Sequence, residues 1–171
     1  GGFAVAVVVG LVQIWIMKEL VKLYGGKRKA QLIAMVLTCI LPFWFFYHRI
    51  ALMDGLMTLF ISVSFLILTK LAMHIEVRKI KFVPDQHTLI FTVTTGLSFG
   101  LAISTKIPAL FVSPIFVLIA LYPFPTNKFR LSIPKLFWIG VSGVIGCLLF
   151  LLLKLNPAFG QLFVRGGNFT Y

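Results

Sequence analysis

Apolar residues run through this chain in six long blocks, at about 3–24, 30–47, 55–73, 88–105, 107–124 and 136–153. Short polar stretches separate them. At a rise of about 1.5 Å per residue, a helix of 18 residues reaches roughly 27 Å, enough for the hydrocarbon core of a bilayer. Lipid offers no water to satisfy backbone groups, and the blocks are too long for barrel strands, so helices are required. The pattern predicts an all-α, polytopic transmembrane helix bundle of about six spans, forming one transmembrane domain over residues 1–171. No internal repeat, low-complexity tract or soluble domain interrupts it.

The polar connections set a predicted orientation. "GGKRK" (25–29), "HIEVRKIKFVPDQH" (74–87) and "PTNKFRLSIPK" (125–135) are basic and fall at every second connection. With their flanking turns they hold twelve of the sixteen cations; Arg49, Lys106, Lys154 and Arg165 are the other four. This positive-inside bias puts the three basic loops in the cytoplasm and both ends of the segment outside. Glu19, Glu76 and Asp85 fall on the cytoplasmic side, which leaves Asp54 as the single outer carboxylate.

Composition agrees with a bilayer as solvent: 60% of residues are hydrophobic and only 12% charged, against roughly a quarter charged in globular proteins. The net charge of +12 could suggest nucleic acid, but that needs a basic face on a soluble domain. Clusters between apolar blocks are the membrane pattern instead, and no nucleic-acid partner is expected. Cys39 and Cys147 sit inside apolar blocks, where a thiol serves as a small packing residue; they give no disulfide framework and no metal spacing. Gly96, Gly100 and Ser104 form a small-residue stripe that lets two helices approach closely, and Gly140, Gly143, Gly146 and Cys147 are expected to do the same on the last span. Pro42 and Pro114 are expected to bend theirs.

The outer side collects the candidate chemistry. In "YHRIALMDG" (47–55), His48 and Arg49 close the second span and Asp54 opens the third. Both charges also complement helix dipoles there, and Asp is a preferred N-cap, so a purely structural role stays open. In "GLSFGLAISTKIPALF" (96–111), Lys106 is pinned at the junction of the fourth and fifth spans. Such a lysine either snorkels to the interface or meets an anion. Arg165, in "FVRGGNF", lies on the same side. Three cations, a histidine and a carboxylate thus face a surface able to supply a lipid phosphate.

The stretch "KLYGGKRKAQLIAMVLTCILPFWFFYHRIALMDGLMTLFISVSFLI" resembles the early helices of integral-membrane glycosyltransferases of the protein O-mannosyltransferase and aminoarabinose-transferase type. Gly26 and Ala30, Pro42, then Arg49 and Asp54 follow that family's order. "GLSFGLAISTKIPAL" is similar to its G-x-x-x-G-L-A-x-x-x-K segment, with the lysine at Lys106. The likeness spans roughly residues 20–120. It implies a GT-C fold with an active site on the outer side. There a sugar passes from a polyprenyl-phosphate donor to a lipid, glycan or protein acceptor, usually with inversion. On that footing Lys106 and Arg49 would hold the donor phosphate. Asp54, the candidate catalytic residue, would orient Arg49 or contact the sugar or acceptor. His48 and Arg165 match no family motif and are weaker candidates.

The resemblance also implies that the family's main catalytic carboxylate lies ahead of Gly1, in a larger chain of which this is a piece. The membrane would be a plasma or inner membrane or the endoplasmic reticulum. Beyond the lipid-linked donor and membrane lipids no partner is specified. No cofactor is certain from the sequence, and a divalent metal stays open, since His48 with one outer carboxylate does not amount to a metal ligand set. Two other readings remain: a transporter or flippase in which Asp54 couples to ions, and a non-catalytic scaffold organised by the glycine stripe. Transporters hold their charges near the midplane, whereas Asp54, Arg49 and Lys106 fall at the outer ends of spans.

Overall fold

The computed structural model describes residues 2–40, 52–105, 107–121 and 132–156. They form six α-helices: α1 (Gly2–Leu23), α2 (Arg28–Ile40), α3 (Leu52–Arg78), α4 (Gln86–Thr105), α5 (Ser113–Leu121) and α6 (Ile133–Leu155). A 3-10 segment, Ile107–Val112, precedes α5. No strand occurs among the described residues. Ala4–Leu23, Gly55–Arg78, Gln86–Thr105 and Ile133–Leu155 are long and apolar enough to cross a membrane. Their outward faces are apolar, with Val8, Leu11, Trp15, Val144 and Leu152 among the exposed side chains. Water would not tolerate that surface, but lipid does. The chain is an integral, multi-pass membrane protein.

Side-chain contacts fix the helix directions. Gln13 of α1 meets Thr58 of α3, and Ile16 and Leu20 pack with Leu66, so these helices run parallel. α4 returns antiparallel to α3, as the Ser64 hydroxyl donating to the Thr95 carbonyl and the His74–Asp85 pair require. α6 runs parallel to α4, with Gly96 against Ser142 and Gly100 against Gly146. α3 and α4 are the centre of the bundle: Leu68, Leu71, Ala72 and Ile75 meet Phe99, Ala102 and Ile103, closed by Ala109, Trp138 and Ile139. Among the described elements α2 packs on α1 alone.

The alternation of directions gathers Lys22, the 24–27 turn, Arg28, Arg78, the 79–85 loop and Lys135 at one end, the basic end. α1 and α3 both stop there with the same device. Gly25 (φ 79°) ends α1, with Gly26 N–H donating to the Val21 carbonyl and Gly25 N–H to Lys22. Lys79 (φ 51°) ends α3, with Ile80 N–H donating to Ile75 and Lys79 N–H to Glu76. These are Schellman closures, which satisfy carbonyls the helix leaves unpaired. A Cβ on Gly26 would stand 2.7 Å from the Val21 carbonyl oxygen, so that turn admits no side chain there. Asp85 caps α4, its Oδ1 accepting from Thr88 N–H at 2.8 Å.

Several details depart from the sequence reading. The third helix continues to Arg78 instead of ending near 73, because Ile75 is still core. Over 107–124, where one span was expected, the described chain is a 3-10 segment and a nine-residue helix. Pro108 and Pro114 each lack the N–H that would continue the α-ladder to Ser104 and Leu110. Of the four small residues expected to face a neighbour on the last span, Gly146 alone is seen to meet α4; Gly140 and Gly143 face open space, and Cys147 is exposed, as is Cys39. Pro42 lies outside the described residues.

Candidate functional site

Among the described residues, the end of the bundle opposite the basic one is built from the starts of α1 and α3, the 3-10 segment and the closes of α2, α4 and α6. Asp54 lies in the first turn of α3, and Thr105, the residue before Lys106, is the last of α4. The antiparallel register that pairs Ser64 with Thr95 brings those two turns to the same end. A helix N-terminus carries partial positive charge and a C-terminus partial negative charge, so an acid opening α3 and a base following α4 each suit their position. The Asp54 side chain, and the candidates His48, Arg49, Lys106 and Arg165, lie outside the described residues.

Several described contacts support this end. Gln13, 2% exposed in the middle of α1, donates from Nε2 to Thr58 Oγ1 at 3.0 Å. Thr58 in turn donates to the Gly55 carbonyl at 2.9 Å. The first turn of α3 is therefore tied to α1 by a partly buried polar chain, one helical turn from Asp54. On α4, Ser104 donates to the Gly100 carbonyl at 2.7 Å and Thr105 to Ala102 at 2.6 Å, which binds the last-turn hydroxyls to the helix itself. The position of α4 is set by its approach to α6. A Cβ at Gly96 or Gly100 would stand 2.7 Å from the Ser142 or Gly146 carbonyl oxygen. Sequence reasoning found the glycines; it missed Gln13 and Thr58, whose only signal was a glutamine inside an apolar block.

Two pairs of ionisable residues are engaged at the basic end. Lys135, fully buried at the start of α6, pairs with Glu76 of α3. His74 Nε2 donates to Asp85 Oδ2 at 2.9 Å, and its ring stands edge-on to His87 and Phe91. The Thr88 side chain and backbone N–H, then His74, hold the Asp85 carboxyl well below the usual carboxylate range. Trp138 Nε1 donates to the Lys81 carbonyl at 3.1 Å, tying α6 to the loop. These contacts lock α3, α4 and α6 together, and three of the four carboxylates belong to this end. No group of three or more His, Cys, Asp or Glu suited to a metal ion occurs among the described residues.

Residues 2–155 match the family model described as dolichyl-phosphate-mannose-protein mannosyltransferase. The match covers most of the chain and takes in every described helix. No curated protein and no solved structure matches the chain. The chain belongs to the dolichyl-phosphate-mannose-protein mannosyltransferase family, a family of membrane glycosyltransferases.

Proposed function

We propose that this member of the mannosyltransferase family moves a sugar, mannose by the family's description, from a polyprenyl-phosphate donor to a protein hydroxyl on the extracytoplasmic side. The acceptor oxygen attacks the anomeric carbon, its proton passes to a carboxylate, and the C1–O bond to phosphate breaks as polyprenyl phosphate leaves. Negative charge grows on the departing phosphate. Arg49 grips it by a planar fork of donors and Lys106 by a point charge. Preorganised charge of this kind is often the largest catalytic contribution. Asp54 orients Arg49 or contacts the sugar or acceptor.

One observation carries the assignment: the α3–α4 register brings the turn bearing Asp54 and the close of α4, just before Lys106, to the end away from the basic loops. The positive-inside bias then supports that end as the outer one, where a protein acceptor on the far side of the membrane would be met. In the full-length protein, Lys106→Ala and Asp54→Asn are expected to lower transfer from a polyprenyl-phosphate donor by about two orders of magnitude, the usual loss on deleting one charge-stabilising group. Wild-type rates in both variants at normal expression would overturn the assignment.

A further inference from the structure

At the opposite, basic end, α1 and α2 leave an open groove of about 440 Å³ lined by Lys18, Arg28, Gln31, Leu32 and Met35. That volume falls within the range of small-ligand sites, roughly 300–1,000 Å³. The lining is graded. Arg28 opens α2 at the level of the 24–27 turn, while Leu32 and Met35 lie one and two turns deeper along the same helix. Met35 is seven residues into α2, about 10 Å along its axis. Lys18, half-buried, stands five residues before the end of α1, from where its long stem can carry the ammonium back toward the interface. Gln31 donates from Nε2 to the Gly26 carbonyl at 2.8 Å, which holds the wall of the groove to the turn.

Among the described residues neither Lys18 nor Arg28 has a carboxylate partner; the ion pairs at this end are His74–Asp85 and Glu76–Lys135. Glu19 is the single acid in the first 53 residues, against the cations Lys18, Lys22, Lys27, Arg28 and Lys29 at this end. The first turn of α2 contains no acidic residue to offset its dipole. Two unpaired cations above an apolar floor have the shape and charge of one ligand class.

We infer that this groove binds an anionic phospholipid, with the phosphate between Lys18 and Arg28 and the upper acyl chain along Leu32 and Met35. The inference is independent of the catalytic assignment at the other end. It also gives α2, which packs on α1 alone among the described elements, a lipid to complete its packing.

The test uses the purified full-length protein, with lipid retention read by native mass spectrometry and thermal shift measured alongside. Phosphatidylglycerol, phosphatidylcholine and inorganic phosphate are the probes. Phosphatidylglycerol is expected to be retained in preference to phosphatidylcholine, and retention to fall about fivefold for each groove cation neutralised in Lys18→Gln and Arg28→Gln. Lys18→Arg with Arg28→Lys should keep it. Lys27→Gln with Lys29→Gln, which removes equal charge outside the groove, should leave retention within twofold of wild type. If the charge-removed pair fails to fold, Met35→Trp fills the groove with its charges intact and should also reduce retention. Equal retention of the two lipids, an equal loss in the Lys27/Lys29 variant, no loss on filling the groove, or the same thermal shift with inorganic phosphate alone would each overturn the inference.

Discussion

Replacing Gly100 by alanine adds one methyl group at the close crossing of α4 and α6. The new carbon would stand 2.7 Å from the Gly146 carbonyl oxygen and 3.0 Å from two carbons of Leu149, where ordinary contact begins at 3.4 Å. The shortfall against the carbonyl is about 0.7 Å. A backbone atom cannot rotate away, so α4 and α6 must separate by that order. Overpacking of this kind costs about 1–3 kcal/mol. Alanine in a helix regains about 0.5–1 kcal/mol over glycine, so the net loss is on the order of 1–2 kcal/mol. Gly143→Ala is the internal control, because nothing lies within 4 Å of its added Cβ and only the helix gain of about 0.5–1 kcal/mol applies. Reversible unfolding of the two variants in mixed micelles, followed by far-UV circular dichroism, compares them directly. Gly100→Ala should unfold more readily than wild type and Gly143→Ala no more readily. Equal stability of the two variants would refute the close-approach argument.

Other perturbations test other joints of the molecule. Glu76→Ala leaves the fully buried Lys135 ammonium without its partner and should destabilise by about 3–5 kcal/mol in the same unfolding assay, whereas Glu76→Leu with Lys135→Met should recover most of that loss. Lys79→Gly relieves a side chain held at φ 51° and should stabilise by about 1 kcal/mol. The Asp85 carboxyl is held below its unfolded value, so the stability it contributes is present above about pH 4 and is lost as pH falls toward its folded value. Melting temperature between pH 6 and pH 3 should therefore drop more steeply in wild type than in Asp85→Asn. Thr58→Val removes the hydroxyl that links Gln13 to the first turn of α3, costs about 1 kcal/mol, and should lower the transfer rate more than the same stability loss placed in α2.

Much of this architecture could be read from apolar blocks because a bilayer imposes a simple rule: a long enough apolar helix must cross. The rule says nothing of where a helix stops once it leaves the hydrocarbon, which is why α3 runs on to Arg78 through the core residue Ile75. Nor does it see that Pro108 and Pro114 divide one apolar block into a 3-10 segment and a short helix. Glycine spacing located the α4 face correctly, since Gly96 and Gly100 recur on one side of the helix. It overreached on α6, where spacing could not reveal which glycines turn toward α4 and which toward lipid.

The polar partners were the least legible. Glu76 and Lys135 lie 59 positions apart, and their pairing depends on α3 and α6 being neighbours, a fact of tertiary packing. Gln13 and Thr58 are joined only because α1 runs parallel to α3. The candidate site itself rested on motif order and on the side of the membrane; the helix register speaks only for the turn bearing Asp54 and the close of α4, which it brings to one end.

Met53→Cys with Thr105→Cys, in full-length protein carrying Cys39→Ser and Cys147→Ser, tests that arrangement while leaving Asp54, Arg49 and Lys106 in place. A short bifunctional thiol reagent should join the two cysteines within one chain, and polyprenyl phosphate should slow the reaction by occupying the space between them. Single labelling of each cysteine without cross-linking, or a cross-linking rate indifferent to the lipid phosphate, would contradict the account.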